Sequence, residues 1–181
     1  WGETIDDAVG EAFDKAAKIL GLPYPGGPHI DRLSAKGDPT FMVFNESNLP
    51  DYNFSFSGMK TSFLYALQKE MKANPSFIND HLNDICASYQ AALIKVLMKK
   101  VKAAQKSTGI KNVAIAGGVS ANSGLRAALM QWGEQSDISI YLPPFQYTTD
   151  NAAMIGIAGY YQYLEGVNAP LSTSAQAKIK F

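Results

Sequence analysis

The chain has 181 residues, 46% of them apolar, which suffices for the core of one domain or of one lobe of a larger protein. Its 16 basic and 16 acidic residues cancel, so no global charge draws it toward nucleic acid, and no run of about 18 apolar residues is present to span a membrane. The single cysteine, Cys86, excludes an internal disulfide and suits a reducing cytoplasm. The chain opens at Trp1 without a basic-then-apolar leader and enters a motif almost at once, which predicts the C-terminal portion of a longer protein.

Thr4 and Asp7 have the form of a capping box, and the apolar positions from Ile5 to Leu20 recur at helical spacing until Gly21 and Pro23 end the pattern. Asp14 lies beside Phe13, off the strongest apolar stripe. Residues 24–28, rich in Pro and Gly, predict a rigid turn, with Pro28 at the first position of a short helix that ends near Gly37. Asp31 falls in that helix's first turn, where a carboxylate suits the dipole. Residues 40–44 predict a strand. A loop and a helix from Gly58 to about Met71 follow, broken by Asn74-Pro75. Residues 45–80 together predict a helical insertion on an α/β core.

A long helical pattern covers residues 80–106. Within it Lys95, Lys99, Lys102 and Lys106 form one stripe, either a solvated face or a track for RNA phosphates. Gly109 ends the helix. Residues 113–116 then predict a short strand buried on both faces, as in a parallel sheet. Gly117-Gly118 follows directly, where a backbone turns sharply and a ligand approaches without meeting a Cβ. Ser120 or Asn122 can cap the next helix, so strand, turn and helix N-terminus make a place for an anion or a nucleotide. A strand over 138–142, a Pro-Pro loop to Asp150 and a last helix to about Glu165 complete the order, which implies a parallel or mixed sheet with helices on its faces.

Familiar catalytic arrangements are missing. Two histidines and one cysteine give no triad, and there is no P-loop, no GxGxxG, no HExxH and no paired cysteine ligand set. What remains is polar residues at element ends: Asp14, Gly27, Asp31, the 117–122 turn and Asp150. Carboxylates accept hydrogen bonds from ribose hydroxyls, and an Asn amide both donates and accepts. This is binding chemistry, with no nucleophile in it.

The wording of these stretches goes further. AGGVSANSGLR at 116–126 resembles the nucleotide-binding turn of the TsaD family, the tRNA N6-adenosine threonylcarbamoyltransferases of the actin-like (ASKHA, RNase H-like) superfamily. GETIDDAVGEAFDKAAKILGLPYPGGP at 2–28 is similar to the family's segment after its metal motif. FSFSGMKT at 54–61 resembles FSFSGLKT, and TTDNAAMIG at 148–156 resembles TDNGAMI with Ala152 in place of the usual Gly. The motifs fall in family order over nearly the whole chain.

The resemblance implies an actin-like α/β lobe, a mixed sheet flanked by helices. It also implies transfer of a threonylcarbamoyl group from threonylcarbamoyl-AMP to N6 of the adenosine 3′ of the anticodon in tRNAs that read ANN codons. Motif by motif, Asp14, Gly27, Asp31, Gly117, Gly118 and Asn122 correspond to adenylate-binding positions, and Asp150 to a ligand of one divalent metal, Fe²⁺ or Zn²⁺. The metal's other ligands are two histidines of an HxxxH motif that this chain lacks, so the chain by itself is expected to be inactive. TsaB-like and TsaE-like proteins are the implied partners in the cytoplasm. Two other readings remain open: an ATP-dependent kinase of the same superfamily, and a non-catalytic TsaB-like scaffold.

Overall fold

The computed structural model describes residues 1–45 and 49–174. Seven helices, two short 3-10 turns and two strands occur among them in the order α1 (Val9–Ile19), α2 (Gly26–Ser34), α3 (Ser57–Ala73), α4 (Phe77–Asp80), α5 (Leu82–Thr108), β1 (Asn112–Ala114), α6 (Ser123–Ser136), β2 (Ser139–Tyr141) and α7 (Ala152–Leu164). The helices follow the apolar periodicity closely, because an amphipathic stripe is a local signal.

Two hydrophobic clusters share the 27-residue α5. The larger joins α1, α2, α3 and the first half of α5, and Tyr89 is at its centre. The rings of Phe63, Phe44 and Phe13 lie 4.5, 5.7 and 6.5 Å from the Tyr89 ring, and its hydroxyl donates to the Ala12 carbonyl at 3.3 Å. Cys86 is fully buried in this cluster, and burial pushes its thiol up to about 12. The smaller cluster packs Met98 of α5 against Leu125, Leu129 and Trp132 of α6, with Ile138 beneath. β1 and β2 pair in parallel through Val113 and Ile140, with α6 as the crossover between them.

Several expectations are corrected. The strand expected over 113–116 is shorter and among the described residues pairs only with β2, so Asn112 and Ala114 stay exposed and it is not buried on both faces. Residues 40–44 form no strand. The Asp38 carboxylate accepts from the Thr40 amide and hydroxyl, and the Met42 amide donates to Ser88 Oγ, so side chains take the backbone groups that a ladder would have used. Thr4 donates to the Asp7 carbonyl at 2.7 Å instead of capping a helix, Asp7 pairs with Lys15, and α1 starts only at Val9 without a side-chain cap. Pro28 occupies the third position of α2, which opens at Gly26.

Residues 57–80, expected to lie in an insertion, form α3 and α4, and Met59, Phe63 and Leu67 of α3 belong to the larger cluster. The start of α3 is held from far upstream. Asp6 accepts from the Phe56 amide (2.8 Å), the Ser57 amide (3.3 Å) and the hydroxyls of Ser55 (2.5 Å) and Ser57 (2.6 Å). Partial desolvation opposes the charge on Asp6, but the four hydrogen bonds outweigh it and hold the carboxyl down at about 2.

α7 stands apart. Gln162 is its one strongly polar side chain, yet no residue of the helix is buried: Ile155 is 77% and Tyr163 71% exposed. Among the described residues no helix is long and apolar enough to cross a membrane.

Candidate functional site

The site grows out of the β1–α6 connection. Gly117 adopts φ 84° and ψ 170°, a backbone state that a side chain strains against. The chain then makes one 3-10 turn over Gly118–Ala121, closed by the Ser120 amide on the Gly117 carbonyl at 2.9 Å. Asn122 leaves the turn extended and caps α6, its Oδ1 accepting from the Leu125 amide at 2.9 Å. Of the two caps the sequence offered, Asn122 is the one used. Ser120 is buried, and its hydroxyl has no partner among the described residues.

From the cap a line of hydrogen bonds runs to α2. Asn122 Nδ2 donates to Gln90 Oε1 at 2.7 Å, and Gln90 Nε2 donates to Asp31 Oδ1 at 3.0 Å. The Ser123 amide and hydroxyl return to the same carboxylate at 3.0 and 2.8 Å. Asp31 therefore lies at the N-terminus of α6, where the dipole favours a negative charge, and not in the first turn of its own helix as expected, because α2 opens at Gly26 and Asp31 is its sixth residue. One turn earlier on the same face of α2 is Gly27. Asp14 of α1 accepts from the Gly26 amide at 2.7 Å and so holds the start of α2. A Cβ at Gly26 would lie 2.2 Å from the Ala17 Cβ, which is why only glycine lets α1 and α2 approach so closely, whereas one at Gly27 would meet only Phe13 Cβ, at 3.9 Å.

Asp14, Gly27, Asp31 and Asn122 thus lie along one seam of α1, α2 and the α6 N-terminus, and the 3-10 turn touches α1 beside Gly10 and Val119. Gly117 and Gly118 are exposed, with open space where a Cβ would stand. Capacity remains after the internal bonds are counted. Asn122 keeps one amide N–H, Asp31 Oδ2 keeps a lone pair, and Asp14 Oδ2 has no partner among the described residues. Such a seam can bind hydroxyls and a phosphate, and it holds no nucleophile. Two surface depressions of about 320 and 400 Å³ lie elsewhere, one between the end of α6 and β2 and the other beside Phe41 and Phe77.

Two residues were missed at the sequence level. Gln90 sits on the apolar stripe of α5 with Cys86, Leu93 and Leu97, and a polar residue on a buried stripe was the available signal. Arg126 lies one turn after Asn122 and donates from Nη1 to the carbonyls of Ser120 and Pro143, both at 3.0 Å, with its guanidinium 4.5 Å from the Phe145 ring. It ties the loop leading to Asp150 onto the glycine turn.

Asp150 itself is exposed. Asn151 is the cap of α7, its Oδ1 accepting from the Met154 amide at 3.1 Å, so the Asp150 oxygens are not drawn onto the helix. No hydrogen bond or ion pair among the described residues joins Asp150 to the seam, and none of those residues form a group of three metal-ligating side chains. Lys95, Lys99, Lys102 and Lys106 are all exposed on α5, with Lys102 Nζ 5.9 Å from the Trp132 ring.

A glycine turn feeding a helix N-terminus, with carboxylates and an amide beside it, is an arrangement that can hold an anion or hydroxyls in an α/β lobe. The comparisons with known proteins make the assignment narrower. A family model described as TsaD, tRNA N6-adenosine threonylcarbamoyltransferase, matches residues 1–157, and the chain belongs to that family. Relatives bearing the name tRNA N6-adenosine threonylcarbamoyltransferase include those of Christiangramia forsetii (57% identical over 99% of this chain and 53% of the relative), Cytophaga hutchinsonii (56%, 99% and 52%) and Thermosipho africanus (45%, 99% and 53%). The chain spans about half the length of the curated relatives it matches. Among solved structures, the activator of the 2-hydroxyisocaproyl-CoA dehydratase from Clostridium difficile with bound ADPNP matches 90% of this chain and 52% of its own, with 19% identity and a TM-score of 0.45. With the family goes the fold class, an α/β lobe of the actin-like type.

Proposed function

We propose that the protein carrying this chain transfers a threonylcarbamoyl group from threonylcarbamoyl-AMP to N6 of the adenosine 3′ of the anticodon in ANN-reading tRNAs. The observation that carries this reading is the family match over residues 1–157, a span that includes every candidate residue from Asp14 to Asp150. Asp14 and Asp31 accept from the ribose hydroxyls of the adenylate. Gly27 leaves the start of α2 open to the ligand, and Gly117-Gly118 lets the ligand reach backbone N–H groups. Asn122 donates with its remaining amide N–H. Held in this way, AMP is a fixed leaving group that the adenosine amine displaces from the carbamoyl carbon, and positioning supplies much of the acceleration.

Asp150 fits one place in a metal's ligand set, since Asn151 caps α7 in its stead and leaves its oxygens free. Fe²⁺ or Zn²⁺ bound there would need two histidines from outside this chain, and when bound it polarises the carbamoyl carbonyl. TsaB-like and TsaE-like proteins are the proposed partners, in the cytoplasm.

The test is transfer of labelled threonine to tRNA by the full-length protein with those partners. Asp150→Ala is expected to lower transfer by about 100-fold or more while the thermal midpoint stays within a few degrees. This chain alone, with one carboxylate where zinc and iron sites take three or more protein ligands, is expected to bind no metal stoichiometrically. An active Asp150→Ala enzyme refutes the assignment.

A further inference from the structure

We propose that Gln90 is the positioning residue of the adenylate seam: its amide accepts from Asn122 at the N-terminus of α6 and donates to Asp31 of α2, and this bridge holds both side chains in the orientation that leaves the spare Asn122 N–H and the spare Asp31 Oδ2 lone pair for a ligand. The proposal rests on the reading that those two residues bind the adenylate.

The argument starts from two backbone groups that can only donate. The Leu125 amide obliges Asn122 to present Oδ1 to it, so Asn122 turns Nδ2 toward α5. The Ser123 amide obliges Asp31 to accept, and a carboxylate accepts only. Between them lies a gap with a donor on one side, Asn122 Nδ2, and an acceptor on the other, Asp31 Oδ1. A side chain filling it must accept at one atom and donate at its neighbour. Gln90 does both, at 2.7 and 3.0 Å, from a position only 7% exposed. Glu has no donor for Asp31, Met has neither group, and Asn is one methylene short.

Gly124 makes room for this bridge. A Cβ there would lie 2.8 Å from Gln90 Nε2 and 3.4 Å from Asn122 Oδ1. The ring from Leu125 through Asn122, Gln90 and Asp31 to Ser123 therefore runs one way only, with both ends fixed by α6. If Gln90 were reversed, two donors would face each other at the buried Asn122 and two acceptors at the part-buried Asp31. In the observed direction the spare N–H of Asn122 and the spare lone pair of Asp31 Oδ2 stay available. A nucleoside monophosphate offers the complement, hydroxyls that donate and ring or phosphate oxygens that accept.

The experiment uses the full-length protein, with AMP as the binding probe and threonylcarbamoyl-AMP for kinetics. In Gln90→Glu two carboxylates meet across the gap. The AMP dissociation constant and KM are expected to rise about tenfold or more, with kcat at saturation changed less than about threefold. Gln90→Met is expected to behave similarly at nearly unchanged volume. The double variant Gln90→Glu with Asp31→Asn exchanges the amide and the carboxylate. It restores a donor opposite every acceptor within the ring, while AMP affinity is expected to stay reduced because Asp31 itself lies in the binding seam. Amide exchange at Ser123 and Leu125 is followed in parallel, with protection lost in Gln90→Glu and regained in the double variant. Wild-type AMP affinity in Gln90→Glu and Gln90→Met, or failure of the double variant to recover protection, overturns the proposal. If wild type binds no AMP, the adenylate reading fails, and amide exchange still decides whether Gln90 holds the ring.

Discussion

Asp6 shows how one carboxylate can set the pH response of a distant element. It receives four hydrogen bonds from residues 55–57, and its folded value of about 2 lies below the ordinary 3.8. A depressed carboxyl stabilises the fold above its unfolded value and loses that contribution as pH falls through the folded one. Protection of the Phe56 and Ser57 amides in the intact protein is thus expected to fall between about pH 4 and pH 2. Asp6→Ala is expected to remove that step and loosen the start of α3 at neutral pH by about 1 kcal/mol, as for other lost caps. Constant protection across that range would show that the clamp is not felt. At this scale the sequence was half legible. The motif wording singled out Asp31 and Asn122, and a polar residue on the apolar stripe of α5 marks Gln90, but a hydrogen-bond ring has no linear signature, so the partners of Gln90 and Asp6 emerge only when α5, α2 and the 54–57 turn come together.

Among the elements, the helices were readable because their stripes are local, whereas the strand expected over 40–44 depended on a partner strand that is not found among the described residues. β1 disappointed for the same reason: its apolar residues suited a wide sheet, and one partner strand covers only part of them. The α1–α2 contact allows a clean test. Gly26→Ala puts a methyl 2.2 Å from the Ala17 Cβ and is expected to destabilise the protein by about 1–3 kcal/mol through overpacking. Gly27→Ala makes ordinary contact with Phe13 at 3.9 Å, so its thermal midpoint is expected to stay near wild type. Any loss of adenylate affinity in Gly27→Ala then reports on the ligand face of α2 and not on the fold. Equal destabilisation by both substitutions would contradict this division.

On the scale of the whole molecule, the chain is two apolar clusters strung on α5 plus a helix, α7, that belongs to neither. A helix apolar on nearly every side is a buried helix by composition, yet no residue of α7 is buried. The buried Cys86 adds a use of another kind. Its thiol lies at the middle of the larger cluster, wholly shielded and with its acidity suppressed. It is a built-in clock for the opening of that core. In the intact protein, pulsed alkylation followed by mass measurement of the Cys86 peptide should advance only as fast as α5 parts from α1 and α3. Ligands that bind the seam should slow it in proportion to their occupancy, and a rate indifferent to added AMP would mean that the seam and the core open independently.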